Sequence, residues 1–265
     1  MTQLLSKTIK TEKTEKEYPY WINTLTYLYP NKDLCKFSDH CFNTCLKTSG
    51  RLPMAKQAMI NRTKLLYQDN ETFINNLELE LRKAKRSANN KGKFLAYRFN
   101  GTSDRIEEIK LMLDKPEQPF DKAYDYTKDF LRVLKYQGYK GYDLTFSFDG
   151  HNVNESKYLL DNKIANVSIV LTTKRNEPLP KEYTLGGKVY PVKDGDSHDL
   201  RFLEDKGYLI GLRAKGKAIK NNGISFLFDK DYDHNTEKFV LSSHNRGGTQ
   251  SKNKKDGTKA EKNNK

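Results

Sequence analysis

Cysteine is scarce in this chain, and the little there is sits in one place. Among 265 residues only Cys35, Cys41 and Cys45 occur, all inside the segment DLCKFSDHCFNTCLKTSGRLP (33–53). An odd number of cysteines argues against a disulfide framework and leaves reduced thiols free to act as ligands or nucleophiles. Long apolar runs are missing too: no stretch of eighteen apolar residues exists, so no membrane-spanning helix is expected. The N-terminal MTQLLSKTIKTEKTEKEYPYW lacks the continuous apolar core of a secretory signal, and the expected location is therefore the cytoplasm. Neither a P-loop nor a full GxGxxG occurs, which removes the fingerprints of an ATPase and of a Rossmann dehydrogenase. No internal repeat is visible. Negative charge is in short supply, with 34 acidic against 48 basic side chains and a net charge of +14, a balance that attracts nucleic acid or another polyanion. Part of that excess lies in RGGTQSKNKKDGTKAEKNNK (246–265), which has no apolar residue able to anchor it. This end reads as a disordered basic tail, either a solubilising end or an arm that binds polyanions without sequence preference.

Aromatic residues are plentiful: sixteen Tyr and thirteen Phe supply a core despite a mean hydropathy of −0.88. YWINTLTYLYP (20–30) reads as a strand, and the cysteine segment follows it directly. Pro53 then opens a helix with Met54, Ala58 and Leu65 at helical spacing, and Asp69/Asn70 cap a second one carrying Phe73, Ile74, Leu77 and Leu81. Five further strand-like stretches follow at 94–100, 123–127, 142–148, 166–172 and 208–216. Helical spacers separate most of them, at 104–113, 128–137 and 154–162. The βαβα order implies a parallel sheet, open or closed. LGG (185–187) reads as a turn.

Alternation within the strands places polar groups together. In YDLTFSFDG, Leu144, Phe146 and Phe148 take one face, while Thr145, Ser147 and Asp149 take the other. Arg98 and Asn100, Asp125 and Thr127, and Arg213 and Lys215 are paired by parity at other strand ends. Charged groups there are costly to bury against a helix layer, so they are expected to line a cavity at the C-terminal ends of the strands. The predicted fold is a single α/β domain, 18–244, built as a partial or complete parallel βα barrel of the TIM type. It includes the cysteine loop 33–50, follows a charged lead, 1–17, and precedes the basic tail, 245–265.

Nucleophilic catalysis needs one thiol and a base, so three sulfurs in one loop point to metal ligation. Two sites are open at this stage. A structural zinc takes four ligands, with His40 as the fourth. A [4Fe–4S] cluster held by Cys35, Cys41 and Cys45 leaves one iron free to bind and activate a small molecule. Phe37, Phe42 and Leu46 flank the loop as a shield from water.

The three-cysteine loop after the first long strand, the helix that follows it and the βα series together resemble the layout of radical S-adenosylmethionine enzymes. Their usual spacing is C-x3-C-x2-C, and this chain has C-x5-C-x3-C with Thr44 before the last cysteine. The resemblance implies S-adenosylmethionine as a cofactor beside the cluster. RFNGTSD (98–104) stands where that superfamily faces the cofactor's amino-acid end, which implies contacts from Asn100, Gly101 and Ser103. A closer resemblance is to the phage and prophage family known as gene product 88. It is carried by CLKTSGR, NRTKLLYQD, RFNGTSD, YDYTK, LTFSFD and DGDSHDLRFLEDKGYLIGLRAKGKA over roughly residues 20–220. That family brings no established reaction.

VKDGDSHDLRFLEDKG (192–207) gathers Asp194, Asp196, His198, Asp199 and Arg201. The spacing fails the calcium-loop pattern. Three roles stay open for it: a general acid/base at His198, a polar turn with an Asp–Arg pair, or a divalent-metal loop. In DYTKDF, Thr127 is expected to cap a helix. The expected enzyme has cluster ligands Cys35, Cys41 and Cys45. Arg98, Asn100, Gly101, Ser103, Asp104, Ser147 and Arg213 bind cofactor, and His198, Asp125 and Lys215 act in catalysis on an unidentified small-molecule or macromolecular substrate. The rival expectation is a phage nucleic-acid-binding protein with a structural zinc, its basic surface and tail tracking phosphates.

Overall fold

A computed structural model describes residues 2–38, 41, 45–174, 176–220 and 227–228, and one compact unit, Met1–Asn235, contains all of them. The predicted basic tail lies outside the described residues. Ten strands form one sheet. They are β1 (Leu5–Ser6), β2 (Trp21–Thr26), β3 (Phe94–Arg98), β4 (Lys122–Thr127), β5 (Tyr142–Ser147), β6 (Asn166–Leu171), β7 (Glu182–Leu185), β8 (Lys188–Asp194), β9 (Leu209–Arg213) and β10 (Leu227–Phe228). The sheet runs in the order β1-β2-β3-β4-β5-β6-β9-β8-β7, with β10 pairing beside β6. From β2 through β9 and on to β8 every pair is parallel, and β1 and β7 add antiparallel edges. Among the described residues no strand pair joins the two ends of this path, so closure into a barrel is not part of the pairing.

Strands β2 to β6 lie side by side in chain order. A right-handed crossover repeated in one direction puts every connecting helix on the same face. Register identifies that face: Tyr97, Ala123, Tyr142, Leu144, Phe146 and Val167 are cross-strand neighbours, and all belong to the main buried core. Against them pack α3 (Asn70–Asn89) through Phe73, Leu77 and Leu81, α4 (Glu107–Leu113) through Ile109 and Met112, α5 (Phe130–Tyr136) through Val133, and α6 (Val153–Asp161) through Leu159 and Leu160. At roughly 1.5–3 kcal/mol for each large apolar side chain buried, this layer is the main source of stability.

The helix between the cysteine loop and α3, α2 (Lys56–Gln68), begins three residues after Pro53 and buries Met59, Arg62 and Leu66. The expected stripe began at Met54, which is 87% exposed. Its Arg62 is kept because Nε donates to the Gln3 carbonyl at 2.7 Å, which ties the chain's start to this helix. Asp69 caps α3 as expected, accepting from the Thr72 amide at 3.0 Å. Thr127 does not cap α5; Asp129 does, accepting from the Arg132 amide, while the Thr127 hydroxyl receives the Asp129 amide.

The opposite face of the sheet has no crossover helix. It is covered by α1 (Ile9–Glu17) and by residues 195–204. Leu200 joins Ala96 and Tyr124 in a small second core, with Tyr18, Trp21 and Phe202 packed on it. The predicted charged lead is therefore largely α1. Thr8 and Thr11 form a reciprocal capping box at its start, and buried Thr11 and Thr14 line its inner side. Thr14 Oγ1 accepts from the Asp199 amide at 3.3 Å, and Lys10 pairs with Asp199 at 2.6 Å, which fastens 195–204 to α1.

Candidate functional site

The cysteine loop leaves the C-terminal end of β2, and the RFNGTSD segment leaves the C-terminal end of β3 beside it. Two contacts lock them together. The Asp104 amide donates to the Leu34 carbonyl at 2.8 Å, and Cys35 Sγ donates to the Thr102 carbonyl at 3.6 Å. Thr102 Oγ1 in turn donates to the Leu28 carbonyl at 2.6 Å. Gly101 makes the close approach feasible: a Cβ there would stand 2.6 Å from both the Thr26 carbonyl oxygen and the Tyr27 ring.

Cys35, Cys41 and Cys45 are half-buried and none is in a disulfide. Burial pushes the Cys35 thiol up to about 12, reinforced by the charges of Cys45, Asp104 and Cys41. Burial also raises Cys45, with Cys41 adding to it, while Lys47 and Lys128 pull it down. The three sulfurs thus lie within one another's electrostatic reach. Among the described residues no three His, Cys, Asp or Glu side chains stand in a ligating arrangement. The proposed zinc ligand His40 and the flanking Phe42 lie outside the described residues. Leu46 is 46% exposed and so shields little.

Asn100 is the keystone of the neighbouring loop. Its Oδ1 accepts from Ser103 Oγ (2.8 Å) and the Arg105 amide (2.9 Å), and its Nδ2 donates to the Arg105 carbonyl (2.7 Å) and to Asp125 (3.1 Å). With these bonds made, the side chains of Asn100 and Ser103 hold the loop's shape. Asp104 fastens the same loop to the next crossover: it pairs with Arg132 at 2.6 Å and accepts the Lys128 amide at 3.0 Å.

Asp125 closes this network from below. It accepts from the Asn100 amide at 2.7 Å and Tyr142 Oη at 2.8 Å, and Arg98 Nε stands 4.0 Å away. Burial outweighs these partners and raises its carboxyl to about 6. The register places Asp125 beside Leu144, on the helix-packed face. The expected polar parity thus fails here, and likewise at Arg213, which pairs with Leu171 on the same face. Both carboxylate and guanidinium are tolerated because they sit at strand ends with partners in reach.

The remaining expected site residues fall into other groups. Arg213 pairs with Asp194 (3.1 Å) and Asp196 (3.3 Å), and Lys215 with Asp196 (2.6 Å), an ion cluster at the end of β9. The next turn, 216–220, reaches back to the cysteine loop, where Lys217 N donates to Thr48 Oγ1 at 3.4 Å. Ser147 lies on the face opposite the crossover helices and accepts from Ser168 Oγ at 3.3 Å. His198 is buried on that face, its Nε2 3.3 Å from Tyr18 Oη and 3.3 Å from Glu204. Within 192–207, Asp199 pairs with Lys10 at 2.6 Å rather than with Arg201. Arg201 is fully buried and pairs with Glu204 at 2.9 Å. Sequence reasoning did not single out Tyr126, Tyr142, Arg132 or Lys128. Their position in the strand and crossover that end at the cluster was the one signal present.

Among the described residues no helix is long and apolar enough to cross a membrane. No curated protein and no solved structure matches the chain. The family model for gene product 88 matches residues 2–229, a span that contains the cysteine loop, the RFNGTSD segment and every paired strand, and the chain belongs to this phage family.

Proposed function

We propose that the protein is an iron–sulfur enzyme of the radical S-adenosylmethionine type, in which Cys35, Cys41 and Cys45 hold a [4Fe–4S] cluster. The observation that carries this reading is that the loop bearing all three cysteines leaves the C-terminal end of β2, in a sheet of parallel strands whose helices share one face, with Cys35 held against the neighbouring loop. Soft thiol donors without a hard-donor partner suit iron–sulfur or zinc rather than magnesium or calcium. When bound, such a cluster supplies an open iron and an electron. The chain's own part is positioning: Asn100 and Asp104 hold the RFNGTSD loop against Cys35, and Asp125 fixes that loop to the sheet. A partial barrel is also part of the proposal. The turn after β9 touches the cysteine loop after β2 although the two strands are five places apart in the sheet, a contact that curling brings about.

Anaerobic purification followed by iron and sulfide assays and a visible absorbance spectrum tests the reading. Iron with labile sulfide supports it. A second reading has Lys47 and Lys56 in its favour, whose ammonium groups lie 5.3 and 5.9 Å from the centre of the Tyr29 ring. Cations around an aromatic ring beside a zinc-bound loop suit a nucleic-acid surface. Zinc without sulfide, together with strongly salt-dependent binding to DNA or RNA, would favour that alternative.

A further inference from the structure

The sheet face opposite the crossover helices holds a second polar cluster, of which the cysteine reading used Arg98 alone. Tyr126 on β4 and Thr145 on β5 are register partners there. The Arg98 guanidinium stacks on the Tyr126 ring, Cζ 4.5 Å from its centre. Arg98 Nε is occupied by the Asn100 carbonyl at 3.2 Å, which leaves the two terminal nitrogens for another acceptor. Arg201 comes in from residues 195–204, near enough that its charge is the largest acting on the Tyr126 hydroxyl.

Several donors here are unpartnered. Tyr126 Oη, Thr145 Oγ1 and Arg201 Nε are buried and have no hydrogen-bond partner, and Thr145 and Arg201 are both fully buried. A buried donor left unpaired is costly, so each of these calls for an acceptor. The nearby carboxylates are already committed: Asp199 to Lys10, Glu204 to Arg201 through Oε1, and Asp125 to Asn100 and Tyr142. Glu204 Oε2, His198 Nδ1 and Asp199 Oδ1 are buried without a hydrogen bond as well, Asp199 Oδ1 having only its ion pair with Lys10. Arg98 retains 14% side-chain exposure, which marks the side from which a ligand enters.

We propose that Arg98, Arg201, Tyr126 and Thr145 form a seat for one small oxyanion, the carboxylate or phosphate group of a small molecule. Two guanidinium groups and two hydroxyls match the several lone pairs of such a group, and a fork-shaped Arg donor gives it orientation. The seat stands whether the cysteines hold iron, zinc or nothing, because it uses none of them.

Trp21, the chain's single tryptophan, lies 4.9 Å from the ring of Phe202, the residue after Arg201, and reports on the seat by fluorescence. The full chain is titrated with inorganic phosphate and, separately, with malonate, against chloride at equal ionic strength, and each titration is repeated by calorimetry. Saturable one-to-one binding is expected for at least one probe. Phosphate alone identifies a phosphoryl ligand, malonate alone a carboxylate, and both together the shared oxyanion chemistry. Arg98→Lys keeps the charge but loses the fork, and affinity should fall about tenfold. Thr145→Val keeps shape, and affinity should fall about threefold to tenfold. Circular dichroism confirms that each variant is folded. Absence of saturable binding by both probes, or binding unchanged in both variants, overturns the proposal.

Discussion

Asp125 is a carboxyl that burial holds at about 6, above its ordinary 3.8, against three donors and an arginine. Between those two values the folded chain holds a proton that the unfolded chain has released. Stability from this group is therefore fully present below about pH 4 and is lost as pH rises to about 6, a change of about 3 kcal/mol. Denaturant unfolding of the natural chain and of Asp125→Asn across pH 4–7 checks the sign: the natural chain should decline relative to the variant over that range. Gly101 makes a steric prediction. With no room for a Cβ against Thr26 and Tyr27, Gly101→Ala should destabilise by about 1–3 kcal/mol in urea unfolding. These residues also show where the sequence is legible. The RFNGTSD segment is marked by the resemblance to radical S-adenosylmethionine enzymes. Its Asn and Ser read as ligand contacts, because nothing in the order of residues reveals that Asn100 spends its amide on Ser103, Arg105 and Asp125. Strand parity likewise misplaced Asp125, since a strand-end carboxylate on an apolar face is acceptable once the next strand offers Tyr142.

At the level of elements, the segment 195–204 takes the place of a helix over one face of the sheet. It is held by a buried pair, Arg201 with Glu204, and by Asp199 bound to Lys10 of α1. Arg201→Met strands the Glu204 carboxylate and should cost about 3–5 kcal/mol in unfolding free energy; adding Glu204→Gln should return at least about 1 kcal/mol of it. Independent, additive losses would contradict that coupling. Strands β3 to β6 are readable as short runs rich in apolar and aromatic residues, buried on both faces, and helix α3 because the 3.6 spacing of Phe73, Leu77 and Leu81 matches its burial. Helix α1 was not: Thr11 and Thr14 face inward where a periodic reading looks for leucines, and Ile9 is exposed. The hairpin of β7 and β8 was hidden as well. Its turn at Gly186–Gly187 was visible, but β8 buries chiefly Tyr190 and shows little alternation.

For the whole molecule, the sequential parallel sheet explains why the candidate site residues lie at one end. The crossover loops from β2, β3 and β4 emerge at the same edge, so the cysteine loop after the first of these strands meets the RFNGTSD loop through Leu34 and Cys35 without any long-range design beyond strand order. Membership in the gene product 88 family covers that architecture, residues 2–229. The account's central claim is that the three sulfurs jointly hold an iron–sulfur centre. It is tested most directly by counting iron and acid-labile sulfide in the full chain purified and reconstituted without oxygen, beside Cys35→Ser, Cys41→Ser and Cys45→Ser. About four irons and four sulfides per chain, lost in each of the three variants, is the predicted result. A natural chain that takes up neither, or a content that survives the loss of any one cysteine, would contradict it.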